Sequence, residues 1–216
     1  MRRWAQLLAG LWGYGAAVTL MIRSELGLGP WDAFHVGLSL HTPLSIGVAS
    51  IAAGVVVLAV ALALGMRPGP GTIANMVLIG LVTDLLLPVV PPARGFLWGL
   101  GYFLPAIALL GLCTGMYIGA RLGPGPRDGL MLAIARRTGW AVRHVRTGIE
   151  LSALGAGWAM GGQVGLGTVI FALLVGPSAQ WGLGVFGLTG GNATARDDRV
   201  SPGDDDRDGP PRQRAA

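Results

Sequence analysis

Apolar residues along this chain gather in six long runs, separated by short clusters of glycine and proline. The runs fall at roughly 4–22, 45–64, 73–90, 96–119, 142–160 and 168–188. A helix that crosses a bilayer needs about 20 mostly apolar residues, so each run predicts one crossing. The breaks read GLGP, MRPGPG, PPARG, LGPGP and GGQVGLG. Proline lacks a backbone donor and glycine tolerates positive φ, so each cluster ends a helix. The first run follows Arg2 and Arg3, as in a signal peptide. It is long for such a segment, however, and no small-residue cleavage site precedes Arg23. It is therefore expected to be a retained anchor.

Composition narrows the class. Of 216 residues, 52% are hydrophobic and 12% charged, with 37 glycines and a mean hydropathy of +0.58. Soluble domains carry about 25% charged residues. Too few charges remain here to solvate an ordinary globule, which leaves an all-α integral membrane protein. The single Cys113 excludes a disulfide framework.

The net charge of +5 does not point to nucleic acid, because of where the charge lies. All 16 basic residues are arginine, and five of them share the tail, 191–216, with six aspartates. That Asp/Arg/Pro-rich tail has too little apolar surface to offset its ordering entropy, and it is expected to be disordered. With the N-terminus inside, fourteen arginines fall on cytoplasmic segments and only Arg23 and Arg94 outside. The positive-inside rule then predicts that both termini are cytoplasmic.

A repeat runs through this pattern. Residues 26–32 read LGLGPWD and residues 122–128 read LGPGPRD, identical at five of seven positions at an offset of 96. The same offset carries Gly69, Gly71 and Thr72 onto Gly165, Gly167 and Thr168, Gly65 onto Gly161, and Gly80 onto Gly176. The prediction is two units, 1–96 and 97–190, each with three crossings. An odd number of crossings turns the second unit over, giving an inverted-topology pair of the kind that builds many secondary transporters.

After each GxGPxD motif comes a short segment that predicts a helix of about three turns with proline near its start. Whether it is a broken helix in the bilayer or lies at the interface is left open by the pattern. Asp32 and Asp128 fall in the first turn. There a carboxylate either caps free N–H groups or forms a cation or proton site.

Ionisable and polar residues inside the spans are costly and mark candidate pathways. Glu150 lies in the fifth span with Arg146 four residues before it, the spacing of a helical ion pair. Asp84 and Asn75 lie in the third span, and Gln180 is the repeat mate of Asp84. These seven residues (Glu150, Arg146, Asp84, Asn75, Gln180, Asp32 and Asp128) are the candidates for a solute or ion path. His35, His41 and His144 show no metal-site spacing, and no zinc, Walker or hydrolase motif appears. No enzyme, metal or cofactor is predicted. The seven tryptophans fall mostly near span ends, as an aromatic belt would place them. Gly155–Gly157 and Gly182–Gly184 suggest close helix packing.

The motifs GLGPWDAFHVGLS, GTIANMVLIGLVTD, LGPGPRDGLMLAIARRTG and VRTGIELSALGAGWAMGGQVGLGTVIFALLVGPSAQ together resemble the YczE/YyaS/YitT family of bacterial multi-pass membrane proteins. The resemblance covers roughly residues 5–188. It implies a plasma-membrane location and supplies no catalytic or binding residues. Two functions remain in view. One is a small secondary transporter or permease for a small solute, coupled to a proton or cation. The other is a non-transporting accessory or regulatory protein that packs on a partner complex. At 22.2 kDa the chain is small for a carrier, so a homodimer is expected.

Overall fold

The computed structural model describes residues 1–188; the predicted tail lies outside the described residues. Eight helices follow one another, and no strand occurs among the described residues. They are α1 (Arg2–Ser24), α2 (Pro30–His41), α3 (Ile46–Ala63), α4 (Pro70–Leu86), α5 (Phe96–Gly119), α6 (Pro126–Thr138), α7 (Val142–Ala159) and α8 (Leu166–Val185). Each apolar run gave one long helix, and each GxGPxD segment gave one short helix. Proline opens α2, α4 and α6, where its missing donor would have been unpaired anyway.

Four helices, α1, α3, α5 and α8, have both the length and the composition to cross a membrane. The helix α4 is apolar but has only 17 residues. The helix α7 carries Arg143, Arg146 and Glu150 within its 18 residues. The described residues are therefore all-helical, with four helices fit to cross a membrane. The outer surface agrees with this: Val56, Leu85, Val89, Leu97, Leu151 and Leu173 are all exposed, a surface suited to lipid.

The backbone repeats itself at the sequence offset. The helices α6, α7 and α8 begin 96 residues after α2, α3 and α4. Left-handed residues fall in pairs at the same spacing: Glu25 with Arg121, Gly27 with Gly123, and Gly65 with Gly161. Hydrogen bonds repeat as well. Gly167 N–H donates to Leu26 O at 2.7 Å, and Gly71 N–H donates to Leu122 O at 2.8 Å. Gly165 N–H donates to Thr168 Oγ1 at 3.2 Å, as Gly69 N–H does to Thr72 Oγ1 at 3.1 Å. Loop 25–29 thus meets the start of α8 at one face of the molecule. Loop 120–125 meets the start of α4 at the other.

At the centre α1 packs on α5. Ala17, Val18 and Met21 of α1 close on Phe103, Ile107 and Leu110 of α5, with Ala33 and Val36 of α2 against them. Around this pair α4 packs on α1, α8 on α5, α2 on α7 and α6 on α3. Glycines let the backbones approach. A Cβ on Gly182 would stand 1.9 Å from Gly111 O, and one on Gly157 2.5 Å from Phe34 N. Gly155 has nothing within 4 Å, so the expected packing role belongs to Gly157 and not to its neighbour in the motif.

The two halves differ where α3 and α4, and their mates α7 and α8, would meet. In the first, α3 packs along α4; in the second, α7 makes no comparable packing on α8. A Cβ on Gly80 of α4 would stand 2.6 Å from Gly47 O of α3, whereas its mate Gly176 has nothing within 4 Å.

Candidate functional site

The glycine-proline motifs deliver the starts of α2 and α6 to one place. Gly29 and Pro30 from α2, and Gly125 and Pro126 from α6, line a cavity of about 150 Å³ between the two halves. Positive helix N-termini aimed into a cavity favour negative charge there. Asp32 and Asp128 follow one residue past the dipeptides Pro30-Trp31 and Pro126-Arg127, and both carboxyl groups line this space. From the flanking helices come Tyr14, Asn75, Tyr117, Arg146 and Glu150.

The polar contacts are specific. Tyr117 Oη donates to Asp128 Oδ2 at 2.9 Å. Arg146 Nε donates to Glu150 Oε1 at 2.8 Å. His35 Nδ1 stands 4.0 Å from Asp32 Oδ1, and Arg127 Nη2 stands 3.4 Å from His35 Nε2. The Arg127 guanidinium lies over the Trp31 ring, 4.7 Å from its centroid. Both aspartates sit in the first turn of their helix, as expected, and among the described residues neither accepts from a backbone N–H there.

Five of the seven sequence candidates therefore converge: Asp32, Asn75, Asp128, Arg146 and Glu150. The other two do not line the cavity. Asp84, near the end of α4, reaches the start of α3, where its Oδ1 accepts from Gly47 N–H at 2.8 Å and its Oδ2 accepts from Ser45 Oγ. It lends a charged cap to a neighbouring helix, a role the span pattern could not reveal because the partner is far along the chain. Gln180 is exposed on α8, since the helix it would have capped stands away.

Trp31, Arg127, His35, Tyr14 and Tyr117 were not singled out by the sequence. Trp31 was expected in the aromatic belt and Arg127 among the cytoplasmic loop charges. Both line the cavity, and Trp31 also lines an apolar groove of about 700 Å³ with Phe34, Val56, Ile149 and Ala153. A signal was present in the motif: Trp31 and Arg127 are repeat mates at one of its two unmatched positions. Among the described residues no group of three histidine, cysteine or acidic side chains could hold a metal ion.

The Arg146–Glu150 pair is half open, with side chains 55% and 33% exposed. Such pairs contribute at most about 1 kcal/mol once solvent screening is counted. Glu150→Gln is expected to fold normally and to shift the thermal midpoint in detergent by only a few degrees. Loss of the folded protein would instead make the pair a structural strut.

The comparisons agree with a membrane location and add no substrate. The chain is 40% identical over 176 residues to the uncharacterized membrane protein YczE of Bacillus subtilis (strain 168), covering 81% of this chain and 82% of that one. It is 34% identical over 166 residues to an uncharacterized protein of Haemophilus influenzae, covering 77% and 76%. No solved structure matches. The sequence model of the family of unknown function DUF6198 matches residues 1–183, and with that coverage the chain belongs to this family of YczE-like membrane proteins.

Proposed function

We propose that the protein is a small secondary transporter, built as two inverted units of three crossings, that carries a small solute through the cavity between them. The supporting observation is that mated positions of both halves line one cavity and that the helices around its two ends pack differently. The mates include Gly29 with Gly125, Asp32 with Asp128, Ser50 with Arg146, Gly54 with Glu150 and Ile79 with Val175. Trp31 and Arg127 are mates that touch each other, as residues beside a two-fold axis do. Binding sites at the interface of inverted repeats, formed by helix ends, are the pattern of secondary transporters.

The ends differ as alternating access requires. Where α3 meets α4, Asp84 holds Ser45 and Gly47, and Asp32 beneath keeps only 13% of its side chain exposed. Where α7 would meet α8, Gln180 and Gly176 have no partner helix on them, and Asp128 is exposed. We read this as a state open on the side of loop 120–125, the cytoplasmic side by the arginine count, and closed on the side of loop 25–29. Exchange of the two conformations would close α7 on α8 and free α3 from α4. The carboxylates Asp32, Asp128 and Glu150 are the groups placed to couple solute movement to a proton or cation.

A cysteine at Ser50, on the cavity wall, tests this in a Cys113→Ala background. A membrane-impermeant thiol reagent is applied to intact cells and to inside-out vesicles. A transporter exposes the position to both sides in turn, so both preparations label. A site reached from one side only under every condition would overturn the proposal and favour the accessory-protein reading.

A further inference from the structure

We propose that the cavity binds the carboxylate of a small monoanionic or zwitterionic solute, held by the Arg127 guanidinium against Trp31. This rests on reading the cavity as the solute site and names what the solute must carry.

Arg127 is the second residue of α6, after Pro126. A cation there is repelled by the positive end of its own helix. The remedy would be a carboxylate, yet none of those around it is spent on Arg127. Asp128 accepts from Tyr117, Glu150 pairs with Arg146, and among the described residues no carboxylate oxygen comes within 4.0 Å of the Arg127 guanidinium. What holds it is the face of Trp31 at 4.7 Å and His35 Nε2 at 3.4 Å. Over the ring the guanidinium makes one edge contact, Nη2 to His35, and its other donors have no partner among the described residues. A guanidinium in that condition suits a planar oxyanion, which it grips with two parallel hydrogen bonds.

A second observation points the same way. Trp31 Nε1 is buried with no hydrogen-bond partner, although Trp31 lines the cavity. A buried donor left unpaired is costly, and a turn of the Trp31 ring toward the cavity would let an oxyanion seated on Arg127 accept from it. The N-termini of α2 and α6 favour the same charge.

Charge selects among oxyanions. The cavity already holds Asp32, Asp128 and Glu150 against Arg127 and Arg146. A dianion such as phosphate would add two negative charges to that excess. A single carboxylate adds one, and Asp32, which accepts no hydrogen bond among the described residues and stands 4.0 Å from His35 Nδ1, is placed to take an ammonium group at the far end of a zwitterionic solute. A volume of about 150 Å³ restricts this solute to a few heavy atoms.

The test is direct binding to the purified full chain in nanodiscs, by calorimetry and thermal shift. The probes are acetate, lactate, glycine and alanine, with glycerol and inorganic phosphate as contrasts. The expected result is saturable binding by at least one carboxylate, with phosphate and glycerol weaker. Arg127→Gln should weaken it tenfold or more, Arg127→Lys should weaken it less, and Arg67→Gln should leave it unchanged. Arg127→Lys keeps the charge, so it reports on the site even if Arg127→Gln fails to fold. Phosphate binding more tightly than every carboxylate, no binding by any carboxylate, or affinity indifferent to both Arg127 variants would overturn the proposal. Carboxylate binding in a protein whose Ser50 cysteine labels from one side only would overturn transport and leave this site standing. Labelling from both sides without carboxylate binding would do the reverse.

Discussion

Replacing Gly182 by leucine is expected to leave no folded protein. A Cβ there would lie 1.9 Å from Gly111 O and 2.4 Å from Gly111 C. Side-chain obstacles can rotate aside, but a carbonyl inside α5 is fixed by its own helix. The fit is reciprocal: a Cβ on Gly115 would stand 2.2 Å from Gly182 O, and one on Gly111 2.1 Å from Ser178 Oγ. Ser178 Oγ also donates to Ile107 O across the same seam at 2.7 Å. The helices would have to part along their whole contact, and no hydrophobic driving force in lipid compensates lost packing. Ordinary overpacking costs about 1–3 kcal/mol; a backbone clash of this depth is expected to exceed about 4 kcal/mol, beyond the usual range of single substitutions. Gly155→Ala is the control. Nothing lies within 4 Å of that position, and alanine gains up to about 1 kcal/mol of helix propensity over glycine. Size-exclusion profiles and melting curves of the two variants in detergent decide the matter. A monodisperse Gly182→Leu protein melting with the parent would show that the α5–α8 seam is not built as described.

Two further substitutions are expected to push the Ser50 cysteine signal in opposite directions. Asp84→Ala removes the carboxylate that accepts from Ser45 Oγ and from Gly47 N–H. Hydrogen bonds to a charged group are worth about 1.5–3 kcal/mol each, and losing two from one state alone shifts the balance at least tenfold. Labelling from the loop 25–29 side should rise by that factor. Gly176→Leu fills the position that mates with Gly80. At Gly80, α3 comes so close that a Cβ would stand 2.6 Å from Gly47 O, whereas around Gly176 there is open space. The leucine therefore costs the present structure little, but it blocks α7 from closing on α8. Labelling from the loop 25–29 side should fall tenfold or more, while the protein melts near the parent temperature. If the two variants change labelling in the same direction, or neither changes it, α3–α4 and α7–α8 are not the paired gates of one motion.

Both experiments turn on differences between positions that look alike in the sequence. Gly80 and Gly176 sit in matched surroundings along the chain. So do Asp84 and Gln180, yet one caps a helix and the other is exposed. Depth and periodicity are local properties, and they placed Asn75, Asp84 and Gln180 inside their spans. They carry no information on which neighbouring helix arrives. Asp84 was expected on a pathway for that reason, and its carboxylate holds the start of α3.

The sequence by itself determined the membrane class, the positions of the eight helices to within a few residues, and the 96-residue spacing of their starts. Apolar run length and glycine-proline punctuation act through the backbone of each segment alone, so they can be read without knowing any neighbour. The sequence also marked Arg146 and Glu150, because charge inside an apolar run is costly wherever the run packs, and Asp32 and Asp128, because the repeated GxGPxD motif sets each in the first turn of a short helix. Tertiary structure alone decided that these groups share one cavity, that Trp31 and Arg127 meet there, and that α3 packs on α4 while α7 does not pack comparably on α8. Those outcomes depend on contacts between segments far apart in the chain. In lipid such contacts are chosen by close packing and hydrogen bonding, and neither leaves a periodic trace along the sequence.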